Sequence, residues 1–387
     1  MRPPGLRDDV VYLDHNATTP VDPRVAEAAR PYIETHFGNP STAGTYADEP
    51  RRALIEARAQ VAALIGARPG EIVFTSGGSE SDVLALRGPA LTPGDHLISQ
   101  VTEHPAVLRT CAALERSGVR ITLLPVDGSG RVDPEDVRRA LTPRTRLVSV
   151  MLANGETGTL QPVVELAAVA REHGALFHTD AAQAVGKIPL SVADLGVDLL
   201  TVAGHKFYAP KGVGALYVRQ GVVVEPLIPG GGQEGGRRSG TENVAFAVAL
   251  GEAARLAREG MVAEKSRIRR LRDRLHERLD ADRPGGVRLN GHPEQRLPGT
   301  LNVSLPGVLT RDLLSNLPGL AAATGSACHT GDPEPSTVLT AMGLDRERAL
   351  SAIRLSLGRW TTEADVDRAA ALLVAASDDV ISRRASI

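Results

Sequence analysis

Between residues 51 and 218 the chain alternates between two apolar periods. In Arg51–Ile65, the residues Leu54, Ala57, Val61, Leu64 and Ile65 recur at helical spacing, and Gly66 ends the pattern. Short apolar runs separate such stretches: Glu71–Thr75, His96–Gln100, Val119–Pro125, Arg146–Met151, Ala175–Asp180, Asp198–Ala203 and Val213–Val218. Each reads as a strand. Asp133-Pro134 opens a helix, with the aspartate as cap and the proline in the first turn, and Val163–His173 is a further helix closed by Gly174. Strands separated by helices of about 10–15 residues predict a mostly parallel sheet covered on both faces.

After Gly230 the pattern changes. Gly230–Gly232 and Gly235-Gly236 mark a flexible turn, and a helical pattern rich in Arg, Glu and Leu then runs from Asn243 to Asp280. It reads as a connector between two units. Thr300–Leu305, Leu320–Thr324 and Ala352–Leu357 read as strands, and a last helix starts at Glu363, where Thr362 and Asp365 form a capping-box pattern. The expected fold class is α/β, with a mostly parallel central sheet flanked by helices and a smaller α+β domain. The expected division is a large domain over residues 18–254 and a small one made of residues 1–17 and 255–387.

Composition narrows this further. The 387 residues suffice for a large core, and with 42% apolar but only 3% aromatic residues that core is built from Ala, Leu, Val and Ile. A formal net charge of −2 offers no basic face for nucleic acid. No apolar run is long enough to span a bilayer, and the N-terminal residues carry charges rather than a leader-like stretch. Two cysteines, Cys111 and Cys328, do not make a disulfide framework, and a reducing cytoplasm is expected. No metal-ligand spacing stands out, so no metal is expected.

The chemistry gathers at strand ends. Lys206 follows the apolar strand Asp198–Ala203, and Asp180 ends Ala175–Asp180. In open α/β sheets, ligands bind outside the carboxyl ends of the strands, so both residues open onto one crevice. A carboxylate there can pair with a protonated ring nitrogen and make the ring an electron sink. Gly77-Gly78-Ser79-Glu80 joins a strand to a helix start, a pattern that cradles phosphate on free N–H groups. His104 follows another strand and can stack on a flat ring or move protons. Arg354, in an alternating strand, suits a carboxylate. Cys328 sits in a small-residue stretch, Gly325–Asp332, that reads as a mobile loop, with His329 beside it to lower its pKa. Cys111 falls in an apolar helical pattern and reads as a packing residue. Taken singly, each of these has a plainer reading: a surface lysine, a turn aspartate, a structural turn, an exposed histidine or arginine.

Together the segments resemble the cysteine desulfurase and selenocysteine lyase family, within the pyridoxal-5′-phosphate (PLP) enzymes of aminotransferase fold. The resemblance rests on Tyr12–Pro20, Phe74–Glu80, Thr102–His104, Met151–Gly158, His178–Gln183, Gly204–Lys206, Ser239–Thr241, Gly325–Cys328 and Ile353–Arg359, in order along nearly the whole chain. It implies that Lys206 carries PLP as a Schiff base. It also implies that Asp180 holds the pyridine nitrogen, Gln183 the phenolic oxygen, and that His104 stacks on the ring and shuttles protons. Gly78, Ser79 and His205 would bind the phosphate, with Thr241 reaching in from the second subunit of a homodimer. Asn154 and Arg354 would hold the substrate carboxylate. Cys328 would take sulfur from L-cysteine as a persulfide, leaving L-alanine, and pass it to a protein acceptor.

Two departures from the family pattern stand out. Ala203 occupies a place where many members have Ser, which removes one phosphate contact, and Gly235 and Arg237 stand where many have an arginine and an apolar residue. His329–Asp332 is closer to the lyase-like members, so L-selenocysteine is an alternative substrate. Two further alternatives are an aminotransferase in which Cys328 is incidental and a non-catalytic sulfur-transfer scaffold. A dinucleotide-binding dehydrogenase is disfavoured, since no G-x-G-x-x-G follows the first strand.

Overall fold

The computed structural model describes residues 1–283, 286–325 and 334–385, with side chains to residue 380. Cys328 and His329 lie outside the described residues, and with them the loop expected to carry the thiol.

Strand Val11–Tyr12 (β1) opens the chain. Seven strands then form the central sheet: Ile72–Thr75 (β2), His96–Gln100 (β3), Arg120–Leu124 (β4), Thr145–Ser149 (β5), Leu176–Asp180 (β6), Leu199–Ala203 (β7) and Gly214–Val218 (β8). Their spatial order is β2-β8-β7-β6-β5-β3-β4. Neighbours from β7 to β4 run parallel, and β8 runs antiparallel to both β7 and β2. Adjacent residues on one strand feed opposite faces. Val148 and Leu200 enter one apolar cluster, Leu147 and Leu199 the other. A strand buried on both faces has no polar side, which is why these segments read as continuous apolar runs.

Helices Thr45–Ile65 (α1), Gly78–Arg87 (α2), Pro105–Arg116 (α3) and Val163–Glu172 (α4) cover this sheet. Helix α1 begins six residues before the expected start and runs through Pro50. Pro50 lies in the second turn, where the helix accommodates it. Gly66, at φ +67°, closes α1 in the left-handed conformation that glycine adopts without strain.

Helix Val244–Asp282 (α5) has 39 residues, about 58 Å at 1.5 Å per residue. Its Leu250, Ala254 and Ala257 join the large core, while Ile268, Leu271, Leu275 and Leu279 join a second cluster that also takes Val11 and Leu13. This second cluster underlies a four-stranded sheet of Arg288–Leu289 (β9), Thr300–Ser304 (β10), Ala323–Thr324 (β12) and Ala352–Ser356 (β13), in the order β12-β13-β10-β9. The run expected as one strand, Leu320–Thr324, divides at Ala322: Leu320–Ala321 (β11) pairs with β1, and β12 pairs with β13. The four apolar residues 320–323 carry no alternation to mark the break. Helices Thr337–Ala341 (α6) and Glu363–Ala385 (α7) complete the set used below. At the start of α7, Thr362 and Asp365 each accept the other's backbone amide, the reciprocal cap expected there.

Candidate active site

A cleft of about 450 Å³ opens at the carboxyl ends of β6 and β7. Gly78, Ser79, His104, Asn154, Asp180, Gln183, His205, Lys206 and Arg354 all line it. These residues are spread over more than 270 positions of sequence, and the parallel topology gathers them. Thr241 is exposed and does not line the cleft of its own chain. A wider recess of about 690 Å³ lies at the other end of the sheet, but its charged groups are engaged locally, Arg219 with Asp198 at 2.6 Å and Arg68 with Gln220 at 2.7 Å.

Lys206 Nζ donates to the carbonyls of Asn16 at 2.7 Å and Ala17 at 2.8 Å. Burial, reinforced by the positive charge of Arg354, brings its pKa down to about 8, with Asp180 and Asp14 opposing. Asp180 is buried, and its Oδ1 accepts the Ala182 amide at 2.8 Å. Burial raises its pKa, against that amide, His104 and Lys206. Two more acids lie behind it. Burial raises Glu103 to about 8 and lifts Asp82 well above the usual carboxylate range, the latter with help from Asp180 and Glu103. Glu103 Oε2 and Asp82 Oδ1 have no hydrogen-bond partner. A cationic ring nitrogen beside Asp180 would relieve this crowding of acids.

His104 caps α3, its Nδ1 accepting the Ala106 amide at 3.1 Å. That bond leaves the proton of the neutral ring on Nε2. Burial lowers its pKa, and Lys206 adds to the effect against Asp180. His205 is brought to about 4, by burial first, and its Nδ1 meets Thr18 Oγ1 at 3.1 Å.

Gly77 (φ +151°) and Gly78 lead into α2, whose start has no side-chain cap and whose Gly78 and Ser79 line the cleft. The approach is close. A side chain at Gly214 of β8 would meet Gly77 backbone at 2.8 Å, and one at Gly78 would meet the Ala203 methyl at 3.1 Å. Ser79 is exposed at the mouth.

Asn154 Oδ1 accepts the amides of Glu156 at 2.9 Å and Thr157 at 3.0 Å, and its Nδ2 donates to Thr102 O at 3.2 Å. Its second amide hydrogen meets only the Met151 thioether at 3.7 Å, a weak acceptor that a ligand carboxylate can replace. Arg354 pairs with Asp14 at 2.7 Å and donates to Gly155 O at 3.2 Å, while its buried Nε has no partner. Glu156, brought up to about 7 mainly by burial, accepts from Ser336 at 2.8 Å, the residue that caps α6.

The sequence reading passed over Asp14, Asn16, Asp82, Glu103 and Glu156. Asn16 and Glu103 lie inside motif segments already singled out, Tyr12–Pro20 and Thr102–His104. Polar residues directly after an apolar strand were the signal available. The buried Cys111 thiol is pushed up to about 12 by burial and is no nucleophile.

Comparison with known proteins decides the family. The sequence pattern of class-V aminotransferases matches residues 11–369. The chain belongs to the class-V aminotransferase family. Its curated relatives include the cysteine desulfurase of Gluconacetobacter diazotrophicus, 50% identical over 366 residues (93% of this chain, 91% of that one). That of Trichormus azollae is 48% identical over 363 residues, covering 93% and 90%. Among solved structures, a NifS-like protein superimposes with a TM-score of 0.88 at 37% identity, covering 96% of this chain and 99% of that one. SspA, solved in complex with cysteine, superimposes at 0.80 with 36% identity, covering 91% and 100%. No helix among the described residues is long and apolar enough to cross a membrane, and no cluster of metal-ligating side chains occurs among them.

Proposed function

We propose that this class-V aminotransferase family member is a PLP-dependent cysteine desulfurase, converting L-cysteine to L-alanine with the sulfur left as a persulfide on Cys328. The convergence of Lys206, Asp180, His104, Asn154 and Arg354 on one cleft carries the reading.

The residues fit PLP. The free amides of α2 at Gly78 and Ser79 suit a phosphate, and His205 stands beside them. The buried Asp180 carboxylate suits a cationic ring nitrogen, and the Gln183 amide the phenolic oxygen. Lys206 is the amine that would hold the aldehyde. When bound, PLP supplies that aldehyde and a ring that absorbs negative charge.

The protein's own groups do the rest. Arg354, with its unpartnered Nε, and the Asn154 amide hydrogen held only by Met151 Sδ bind the substrate carboxylate. Lys206, at a pKa of about 8, is neutral often enough near that pH to take the α-proton on Nζ. His104 holds a proton on Nε2 and can deliver it within the cleft. The Cys328 thiolate attacks the substrate sulfur: a sulfur–sulfur bond forms, the carbon–sulfur bond breaks, and its electron pair, once protonated, completes alanine.

We further propose a homodimer in which Thr241 serves the partner's cleft. Support comes from its exposed place outside its own cleft and from the exposed Phe37–Tyr46 ring pair, 5.3 Å between centroids, near the exposed Ile33. The division into a large unit near residues 18–254 and a small one of residues 1–17 with 255–387 draws support from the change of apolar cluster along α5, which falls between Ala257 and Ile268, slightly past the expected boundary. A cytoplasmic location suits the free thiol, and the acceptor is a protein with a thiol able to take the persulfide sulfur.

The test is turnover of cysteine under reductant. Alanine and sulfide should appear in equal amounts, and Cys328→Ala should end sulfide release while keeping the cofactor's absorbance. Sulfide release by Cys328→Ala at the parent rate would overturn the assignment.

A further inference from the structure

We propose that Lys187 is a positioning residue that decides which end of the Gln183 side-chain amide faces the cleft. The inference rests on the reading above that Gln183 meets the cofactor's phenolic oxygen.

Lys187 Nζ donates to Gln183 Oε1 at 2.7 Å and to Asn16 Oδ1 at 2.9 Å. Charged or neutral, the amine has at least two N–H donors, and both are spent on amide oxygens, which are drawn toward it. The nitrogen ends are then turned away. Gln183 Nε2 donates to Asn16 O at 3.0 Å, and Asn16 Nδ2 donates to Gly155 O at 3.1 Å and Thr300 Oγ1 at 2.8 Å. Gly155 leaves space for this arrangement, since a side chain there would lie 2.9 Å from Gln183 Nε2. The turn that returns Lys187 beneath Gln183 depends on Gly186, at φ +76°, where a side chain would meet the Phe207 Cβ at 2.6 Å.

Gln183 lines the cleft and Lys187 does not; Lys187 borders a separate small cavity shared with His15, Tyr208 and Arg359. It reaches the cleft through the two cleft-lining residues it bonds, Gln183 and Asn16, and of these Gln183 is the one assigned to the phenolic oxygen. Its two bonded partners are neutral amides. The charges around it are Lys206 and Arg354, which together with burial hold its pKa well down, and the neighbouring His15 and His205, whose own pKa values Lys187 helps to lower.

An amide nitrogen facing the phenolic oxygen stabilises its anion and so lowers the proton affinity of the Lys206–cofactor linkage. An amide oxygen facing it would do the reverse. The readout is the pH midpoint of the visible absorbance change of the PLP-loaded protein, measured without substrate. Lys187→Met should raise that midpoint by roughly one pH unit. Gln183→Ala should also raise it, and Lys187→Met added to Gln183→Ala should raise it no further. An unmoved midpoint in Lys187→Met overturns the proposal, and so does a full additional shift in the double variant, which would mean that the lysine acts by a route other than Gln183. If Lys187→Met does not fold, Lys187→Gln serves. It lacks the charge but keeps N–H donors, so it should titrate like the parent, and a displacement as large as in Gln183→Ala overturns the proposal. If Gln183→Ala itself leaves the midpoint unchanged, the cofactor contact assigned to Gln183 is what fails.

Discussion

His178 is the most direct probe of how dry the floor of the site is. It lies on β6 two residues before Asp180, fully buried. Its Nδ1 meets Ser149 Oγ at 2.8 Å and its Nε2 meets Thr201 Oγ1 at 3.1 Å, which ties β6 to both neighbours. Asp82 Oδ1 lies 3.9 Å from Nε2, but burial pushes both groups toward their neutral forms, so no ion pair forms at neutral pH. Burial lowers the His178 pKa from 6.5 to about 3. A histidine lowered in this way contributes stability above its unfolded value, and that stability is lost as pH falls from 6.5 toward 3. At pH 5 the unfolded chain gains about 2 kcal/mol by protonating this side chain, and the folded chain gains almost nothing. His178→Gln keeps hydrogen-bonding capacity for both hydroxyls and cannot titrate. Urea unfolding of parent and variant at pH 8 and pH 5 should therefore differ in pH response, with the variant losing about 2 kcal/mol less on acidification. Identical pH responses would refute a neutral, solvent-free His178.

The remaining predictions concern the acids, the substrate clamp and the glycine-rich turn. Glu103, raised to about 8, adds stability that is complete below its unfolded value and lost as pH rises through 8. Glu103→Gln should remove roughly 3 kcal/mol of the parent's gain between pH 8 and pH 5, and an unchanged response in the same urea series would contradict this. Arg354→Lys should reduce kcat/KM for cysteine about 10- to 100-fold with the cofactor absorbance intact, because one ammonium cannot serve both Asp14 and a substrate carboxylate; steady-state kinetics would expose an unchanged value. Glu234 forms two 2.7 Å bonds with Arg58 and accepts the Phe74 amide at 2.9 Å, with side-chain exposures of 3% for Glu234 and 19% for Arg58. Glu234→Ala leaves that arginine unpaired and should cost about 3–5 kcal/mol by denaturation, where a loss under about 1 kcal/mol would refute the claim.

Much of the fold was legible because period and burial coincide. The central strands stand out as short apolar runs since the sheet is covered on both faces, and α5 because its apolar spacing persists across two cores. The break at Ala322 was hidden because the run 320–323 has no polar position to mark a change of partner. The start of α1 was hidden because Pro50 imitates a boundary signal. In the site, Lys206, Asp180 and His104 were legible from their places just beyond strand ends. Asn16 was not, since its task is to offer a backbone carbonyl to a lysine 190 residues away. Asp82, Glu103 and Glu156 looked like ordinary surface acids, and only their burial makes them part of the cleft's electrostatics. Lys187 is set apart from a surface lysine by its burial and by the two amide oxygens it gathers.

The central claim is that this cleft holds PLP on Lys206. Borohydride reduction of the PLP-loaded protein, followed by peptide mapping by mass spectrometry, tests it most directly. The added pyridoxyl mass should fall on Lys206. Its appearance on Lys187, Lys211 or Lys265 instead, or on no lysine, would contradict the account.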